Sequence, residues 1–211
     1  MMIADEAFPV EPWHVRETKL CLDLLPQSES LFALSNGHIG MRGNLDEGEP
    51  FGLPGTYLNG FYENRPLPYA EAGFGYPEEG QSVVDVTNGK LIRLLVEDEP
   101  FDVRYGDLIA HERVLDLRAG TLRRTAEWCS PAGKHVRIES TRLVSLAQRG
   151  LAAIEYVVEA LDEDVRVTVQ SELVANEDQP APSDDPRVAA LLASTSSEST
   201  VDMMAERTMA T

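Results

Sequence analysis

Residues 122–145 read LRRTAEWCSPAGKHVRIESTRLVS, and this stretch decides the fold. Val136 and Ile138 alternate with Arg137 and Glu139, the two-residue period of a strand with one buried face. Ser130-Pro131-Ala132-Gly133 supplies turn-forming residues, so residues 122–129 and 135–145 are expected to form a hairpin. The same grammar extends both ways. Upstream, Ala119-Gly120 turns the chain back onto residues 108–117, and Gly106-Asp107 separates those from residues 101–105. Before them, residues 83–86 and 91–96 flank Thr87-Asn88-Gly89, and Asn-Gly predicts a tight turn. Glu97-Asp98-Glu99-Pro100 forms an acidic turn. Downstream, residues 151–160 place Ile154, Tyr156 and Val158 on one face. Asp162-Glu163-Asp164 then leads to residues 165–173, where Val165, Val167 and Val169 alternate with Arg166, Thr168 and Gln170. Successive strands on short turns, without a convincing amphipathic helix between them, imply antiparallel sheet rather than βαβ units. Two such sheets cover each other's apolar faces, so the expectation is an all-β, two-sheet β-sandwich.

The first third is less regular. Residues 18–24 alternate, with Leu20, Leu22 and Leu24 opposite Lys19, Cys21 and Asp23, which predicts another strand. Residues 28–43, SESLFALSNGHIGMRG, set Gly37, Gly40 and Gly43 among polar side chains, a pattern for backbone that turns sharply or approaches a neighbour closely. Residues 44–80 read as one long irregular segment carrying Phe51, Tyr57, Phe61, Tyr62, Tyr69, Phe74 and Tyr76. That aromatic content argues for a packed or functional segment rather than a disordered one. Residues 177–187 are rich in Pro, Asp and Ser and read as a linker or exposed loop, and residues 188–211 are weakly patterned.

Composition narrows the function. The 211 residues carry 36 acidic against 18 basic side chains, a net charge of −18, which repels phosphate backbones and disfavours a nucleic-acid partner. Two cysteines, Cys21 and Cys129, are too few for a disulfide framework. The first twenty residues hold six charged side chains and no apolar core of a secretory signal. No run approaches the ~20 apolar residues of a membrane span. A cytoplasmic protein is the expectation. The glycine spacing is G-x-x-G-x-x-G, not the dinucleotide-binding G-x-G-x-x-G, and no βαβ pattern follows. His14, His38, His111 and His135 fall in no metal-ligand spacing, and no G-x-S-x-G elbow occurs. Neither a metal nor an organic cofactor is expected. Trp13 and Trp128 suit sugar stacking or core packing equally in residue type, with packing the commoner use.

Six segments together resemble one family. They are SESLFALSNGHIGMRGNLDEG (28–48), GTYLNGFYE (55–63), YAEAGFGYPE (69–78), VLDLRAGTLRR (114–124), WCSPAGKHVRIESTRLVS (128–145) and SELVANE (171–177). In this order they resemble the N-terminal domain of glycoside hydrolase family 65, which contains maltose, trehalose and kojibiose phosphorylases. The resemblance runs from about residue 13 to residue 187 and is not seen past residue 189. It implies a large, galactose-mutarotase-like super-sandwich over residues 1–187, with 188–211 a tail or truncated end. It further implies an (α/α)6 catalytic barrel outside this sequence, carrying the acid glutamate and the site for inorganic phosphate as co-substrate. No catalytic residue is therefore expected among these 211. Glu29, Asn36 and Arg42 are the candidates for facing the barrel or the rim of its active site, Arg42 alternatively bracing its own loop. A homodimer of the full-length enzyme, disaccharide as substrate, and self-association or modest stability of the isolated chain are also expected. The rival expectations are a stand-alone carbohydrate-binding module using the aromatics of residues 51–76, and hydrolysis in place of phosphorolysis.

Overall fold

The computed structural model describes residues 7–66, 75, 79–162 and 164–175, with side chains excluded at 65 and 66. Strands dominate. β1 (Val10–Glu11) and β2 (His14–Glu17) form a hairpin, followed by a 3-10 turn, Leu22–Leu24, and the helix α1, Leu25–Leu31. β3 (Leu34–Ser35), β4 (Ile39–Met41), β5 (Thr56–Leu58), β6 (Tyr62–Pro66) and β7 (Glu79–Val83) are short. Then come β8 (Asn88–Val96), β9 (Glu99–Pro100), β10 (Asp107–Asp116), β11 (Thr121–Cys129), β12 (His135–Val144), β13 (Ala152–Ala160) and β14 (Val167–Val174).

All described pairings are antiparallel. The large sheet has the order β1-β2-β10-β11-β12-β13, and a second sheet has the order β14-β8-β9. They face each other across Leu94 and Val96 of β8, Ala126 and Trp128 of β11, and Val136 and Ile138 of β12, with Phe101 wedged beside Trp128. Trp128 is fully buried, and its Nε1 donates to the Tyr105 carbonyl at 2.6 Å, which satisfies the ring's one polar atom inside the core. The other end of the same inner face is covered by a second cluster, Phe32, Leu34 and Met41 against Leu115, Leu122 and Val144. There the covering layer is α1 with the sheet β3-β4-β5. The antiparallel two-layer architecture expected from residues 122–145 is the one observed.

Local expectations fared differently along the chain. From residue 107 onward, the five long strands fall within two residues of the periodicity. The strand expected at residues 18–24 is absent: Leu22–Leu24 is a 3-10 turn leading into α1, which has Pro in its first turn. The alternating leucines lie on that turn, and the pairing strand is β2, just upstream. Asn88-Gly89 is not a tight turn either but the first residues of β8, where a Cβ on residue 89 would lie 3.0 Å from Leu173 Cδ2. Residues 101–105 turn instead of pairing, since Asp102 Oδ1 accepts the Arg104 backbone N–H at 2.8 Å. The irregular span 44–80 contains β5, β6 and the start of β7. Tyr69, Phe74 and Tyr76, like residues 177–187 and 188–211, lie outside the described residues.

Candidate functional site

The inner face of the large sheet is not uniformly apolar. Inward positions alternate along β10, β11 and β12, and three of them are arginines: Arg113, Arg124 and Arg142, all buried. A buried guanidinium is tolerated only with charge and hydrogen-bond partners. The partners come from residues 43–48, GNLDEG, every one of which is buried. Arg142 donates to Asp46 Oδ1 at 2.6 Å and to the Asn44 and Arg42 carbonyls at 3.2 Å. Arg124 Nη1 reaches both oxygens of Glu47 at 2.8 Å and stands 3.6 Å from Asp46. Ser140 and Tyr156 donate their hydroxyls to Asp46 and Glu47, each at 2.6 Å. The loop's backbone is tied as well, because Ile92 N–H donates to the Asp46 carbonyl at 2.8 Å.

Arg113 closes the layer toward β2. Its Nε donates to Glu17 at 2.7 Å, its Nη1 to the Gly43 carbonyl at 2.9 Å and its Nη2 to Ser28 Oγ at 3.0 Å, with the guanidinium 4.7 Å from the Phe32 ring centre. Gly43 is required by that closeness, since a Cβ there would lie 2.5 Å from Phe32 Cβ and 2.8 Å from the Phe32 carbonyl. Gly48 ends the loop at φ +89°, a left-handed conformation that suits glycine.

These surroundings set the protonation states. Burial pushes the Asp46 carboxyl up, but the charges of Arg142 and Arg124 and the bonds from Ser140 and Arg142 outweigh it and hold the group below its ordinary value. Burial likewise opposes ionisation of Glu17, and the hydrogen bonds from His111 and Arg113 overcome it. The Tyr156 hydroxyl is held up, first by burial and then by the Glu47 carboxylate. The arrangement is thus a set of ionised carboxylates clamped by guanidinium groups, suited to fixing a loop in one place.

Glu29 and Arg42 adjoin this loop, Glu29 through its carbonyl, which accepts the Gly43 N–H at 2.8 Å. Glu29 is fully buried on α1, where its two oxygens accept the backbone N–H groups of Gly52 and Leu53 at 2.9 and 3.0 Å, with Arg42 Nη2 3.5 Å away. Arg42 donates to the Pro26 carbonyl at 2.6 Å and to Ser30 Oγ at 2.9 Å. These contacts tie residue 42 to α1. Asn36 lies apart from this pair: its amide donates to the Ser145 and Arg149 carbonyls at 2.6 and 2.9 Å, while its oxygen accepts the N–H groups of His38 and Ile39. Sequence reasoning missed Arg113, Arg124, Arg142, Asp46 and Glu47. The signal was available, because continuing the Val136–Ile138 alternation places Ser140 and Arg142 inward. Among the described residues, no group of three or more His, Cys, Asp or Glu could hold a metal ion. No described helix is long and apolar enough to cross a membrane.

Fold and site together define an antiparallel β-domain with an ion-paired interior. The model of glycosyl hydrolase family 65, N-terminal domain, matches residues 15–210, so the chain belongs to that family as its N-terminal domain. The match continues past residue 189, beyond the six segments that carry the resemblance. The chain is 79% identical over 191 residues to an uncharacterized glycosyl hydrolase of Mycobacterium tuberculosis, covering 90% of this chain and 24% of that protein. It is 36% identical over 189 residues to an alpha,alpha-trehalose phosphorylase of Thermoanaerobacter brockii, covering 88% of this chain and again 24% of the relative. A solved structure provisionally described as a kojibiose phosphorylase from the human microbiome superposes with a TM-score of 0.73 at 28% identity, covering 82% of this chain and 23% of that one. The chain therefore spans about a quarter of the length of these relatives.

Proposed function

We propose that this chain is the non-catalytic N-terminal domain of an inverting disaccharide phosphorylase. The whole enzyme would convert an α-glucoside such as maltose, trehalose or kojibiose, with inorganic phosphate, to β-glucose 1-phosphate and glucose. One observation carries the non-catalytic part. A general acid working near neutrality needs a raised carboxyl pKa, whereas the buried carboxyls are shifted down, Glu17 by His111 and Arg113 and Asp46 by Arg142 and Arg124. Glu47 and Glu29 are likewise engaged, by Arg124 and by backbone N–H groups.

In this reading the domain supports a catalytic barrel supplied by the rest of a longer polypeptide. Glu29 and Arg42 hold α1 against residues 50–53, which present Phe51 and Leu53 at 41% and 39% exposure. That braced apolar surface, with the Asn36 loop, is the part assigned to face the barrel, and the enzyme is assigned as a homodimer. The test compares this chain with the longer polypeptide in an assay for glucose 1-phosphate release. The chain alone is expected to be inactive and the longer protein active, with Arg42→Ala lowering its activity or melting temperature. Turnover by the chain alone would overturn the non-catalytic role. Phosphate-independent release of glucose by the longer protein would replace phosphorolysis with hydrolysis.

A further inference from the structure

The outer face of the large sheet carries a cleft of about 390 Å³ across β2, β10 and β11. Its lining includes Arg16, Glu112, Asp116, Thr121, Arg123 and Thr125. The register places them in rows on one face: Asp116 opposite Thr121, Glu112 opposite Thr125, and Val114 opposite both Arg16 and Arg123. The volume lies toward the small end of ligand pockets, about 300–1,000 Å³.

Trp13 lies just outside this lining, next in the chain to the lining residue His14. The pair Glu11 and His14 closes the β1–β2 hairpin, leaving Pro12-Trp13 as its two-residue connection. Trp13 has φ +66°, a conformation that a turn opening on proline normally gives to Gly or Asn. A bulky aromatic held there is an outlier of the kind that gathers at functional sites. It is fixed by two contacts from the β10–β11 turn. Leu117 N–H donates to the Trp13 carbonyl at 2.9 Å, and the Arg118 guanidinium lies 4.8 Å from the ring centre. Trp13 nevertheless stays 55% exposed, adjoining the lining residue His14 in the chain.

We propose that this cleft is a binding site for a neutral polyhydroxylated ring, a hexose or short oligosaccharide, with Trp13 as its stacking platform. The charge of the lining argues for a neutral ligand, since two arginines face two carboxylates and Arg16 already pairs with Glu112 at 2.6 Å. Carboxylate and guanidinium forks and the Thr121 and Thr125 hydroxyls suit vicinal hydroxyl groups, as donors and acceptors in one patch. The indole face suits the C–H face of a pyranose. Among the described residues the Arg123 side chain has no hydrogen bond or ion pair, so its five donors are available to a ligand. The site is on the opposite face of the sheet from the arginine layer and does not depend on the phosphorolysis reading.

The chain has two tryptophans, and Trp128 is in the core, so a ligand at the cleft reports through Trp13 emission. Titration of this chain with glucose, maltose and trehalose, without phosphate, should give a saturable change in emission with a Kd of about 0.1–10 mM. Trp13→Asn, followed by calorimetry because it removes the reporter, and Arg123→Ala should each weaken binding about tenfold or more. Asn tolerates the left-handed backbone, so the melting temperature of Trp13→Asn should not fall. If that variant fails to fold, Arg123→Ala decides, because its side chain holds no described contact. No saturable response, unchanged affinity in a folded variant, or preference for inorganic phosphate over sugar would each overturn the assignment. Because no turnover is measured, failure here leaves the phosphorylase reading intact.

Discussion

His111 shows how much one inward position can control. Its Nε2 lies 3.3 Å from Glu17 Oε2 in the arginine layer, and burial, aided by the charges of Arg124 and Arg113, lowers its pKa to about 4 against the opposing pull of Glu17. An unfolded histidine titrates near 6.5. Between about pH 6.5 and 4 the unfolded chain binds a proton that the folded chain refuses, so stability is full above that window and falls through it as pH drops. The loss is on the order of 2–3 kcal/mol by the pKa difference. Below it, Glu17 and Asp46, whose folded pKa values are lowered, withdraw stability in turn as they protonate. Urea unfolding of wild type and His111→Gln at a series of pH values checks this. The variant should lose the slope between pH 6.5 and 4 and keep the steeper loss at lower pH.

At the scale of elements, the loop of residues 43–48 substitutes for a strand that would otherwise cover the arginines. Asp46→Ala leaves the Arg142 guanidinium and the Ser140 hydroxyl buried without their carboxylate partner, and breaking such a pair costs about 3–5 kcal/mol. Denaturant midpoints should show that loss, and an Asp46→Ala midpoint equal to wild type would mean the layer contributes nothing. Legibility in the sequence followed the source of each element's order. β10 to β14 were legible because each is long, half buried and bounded by turn residues. β3, β4 and β5 were not, because at two or three residues they have no period to read. α1 escaped because it is a seven-residue helix whose buried residues include Ser28 and Glu29, so it lacks an apolar stripe. The arginine layer was hidden by composition: an Arg is read as outward by default, and only the tertiary arrival of Asp46 and Glu47 makes an inward one affordable. Glu29 and Arg42 stood out within a stretch rich in glycine, yet most of their hydrogen-bond partners are backbone groups that no residue pattern announces.

At the scale of the whole molecule, the sheets holding β13 and β14 each end on that strand among the described residues. Among the described residues β13 pairs only with β12, and β14 only with β8, so each presents a row of unpaired backbone groups suited to adding another strand. Val157 on β13 is 48% exposed. The isolated chain is therefore expected to self-associate with rising concentration, despite its charge of −18. Sedimentation should show oligomers that Val157→Lys shifts toward monomer; a monomer at all concentrations would remove the edges as the cause. The seating of residues 43–48 also has a consequence in time. Asp46 and Arg142 are 96 residues apart in the chain. At a synthesis rate of about 5–20 residues per second, Asp46 waits roughly 5–20 s on the ribosome before its partner exists. Until Arg124 is made, 77 residues after Glu47, the loop's carboxylates have neither guanidinium partner, so the first third of the chain is a client for whatever shields nascent polypeptides until β11 and β12 are made.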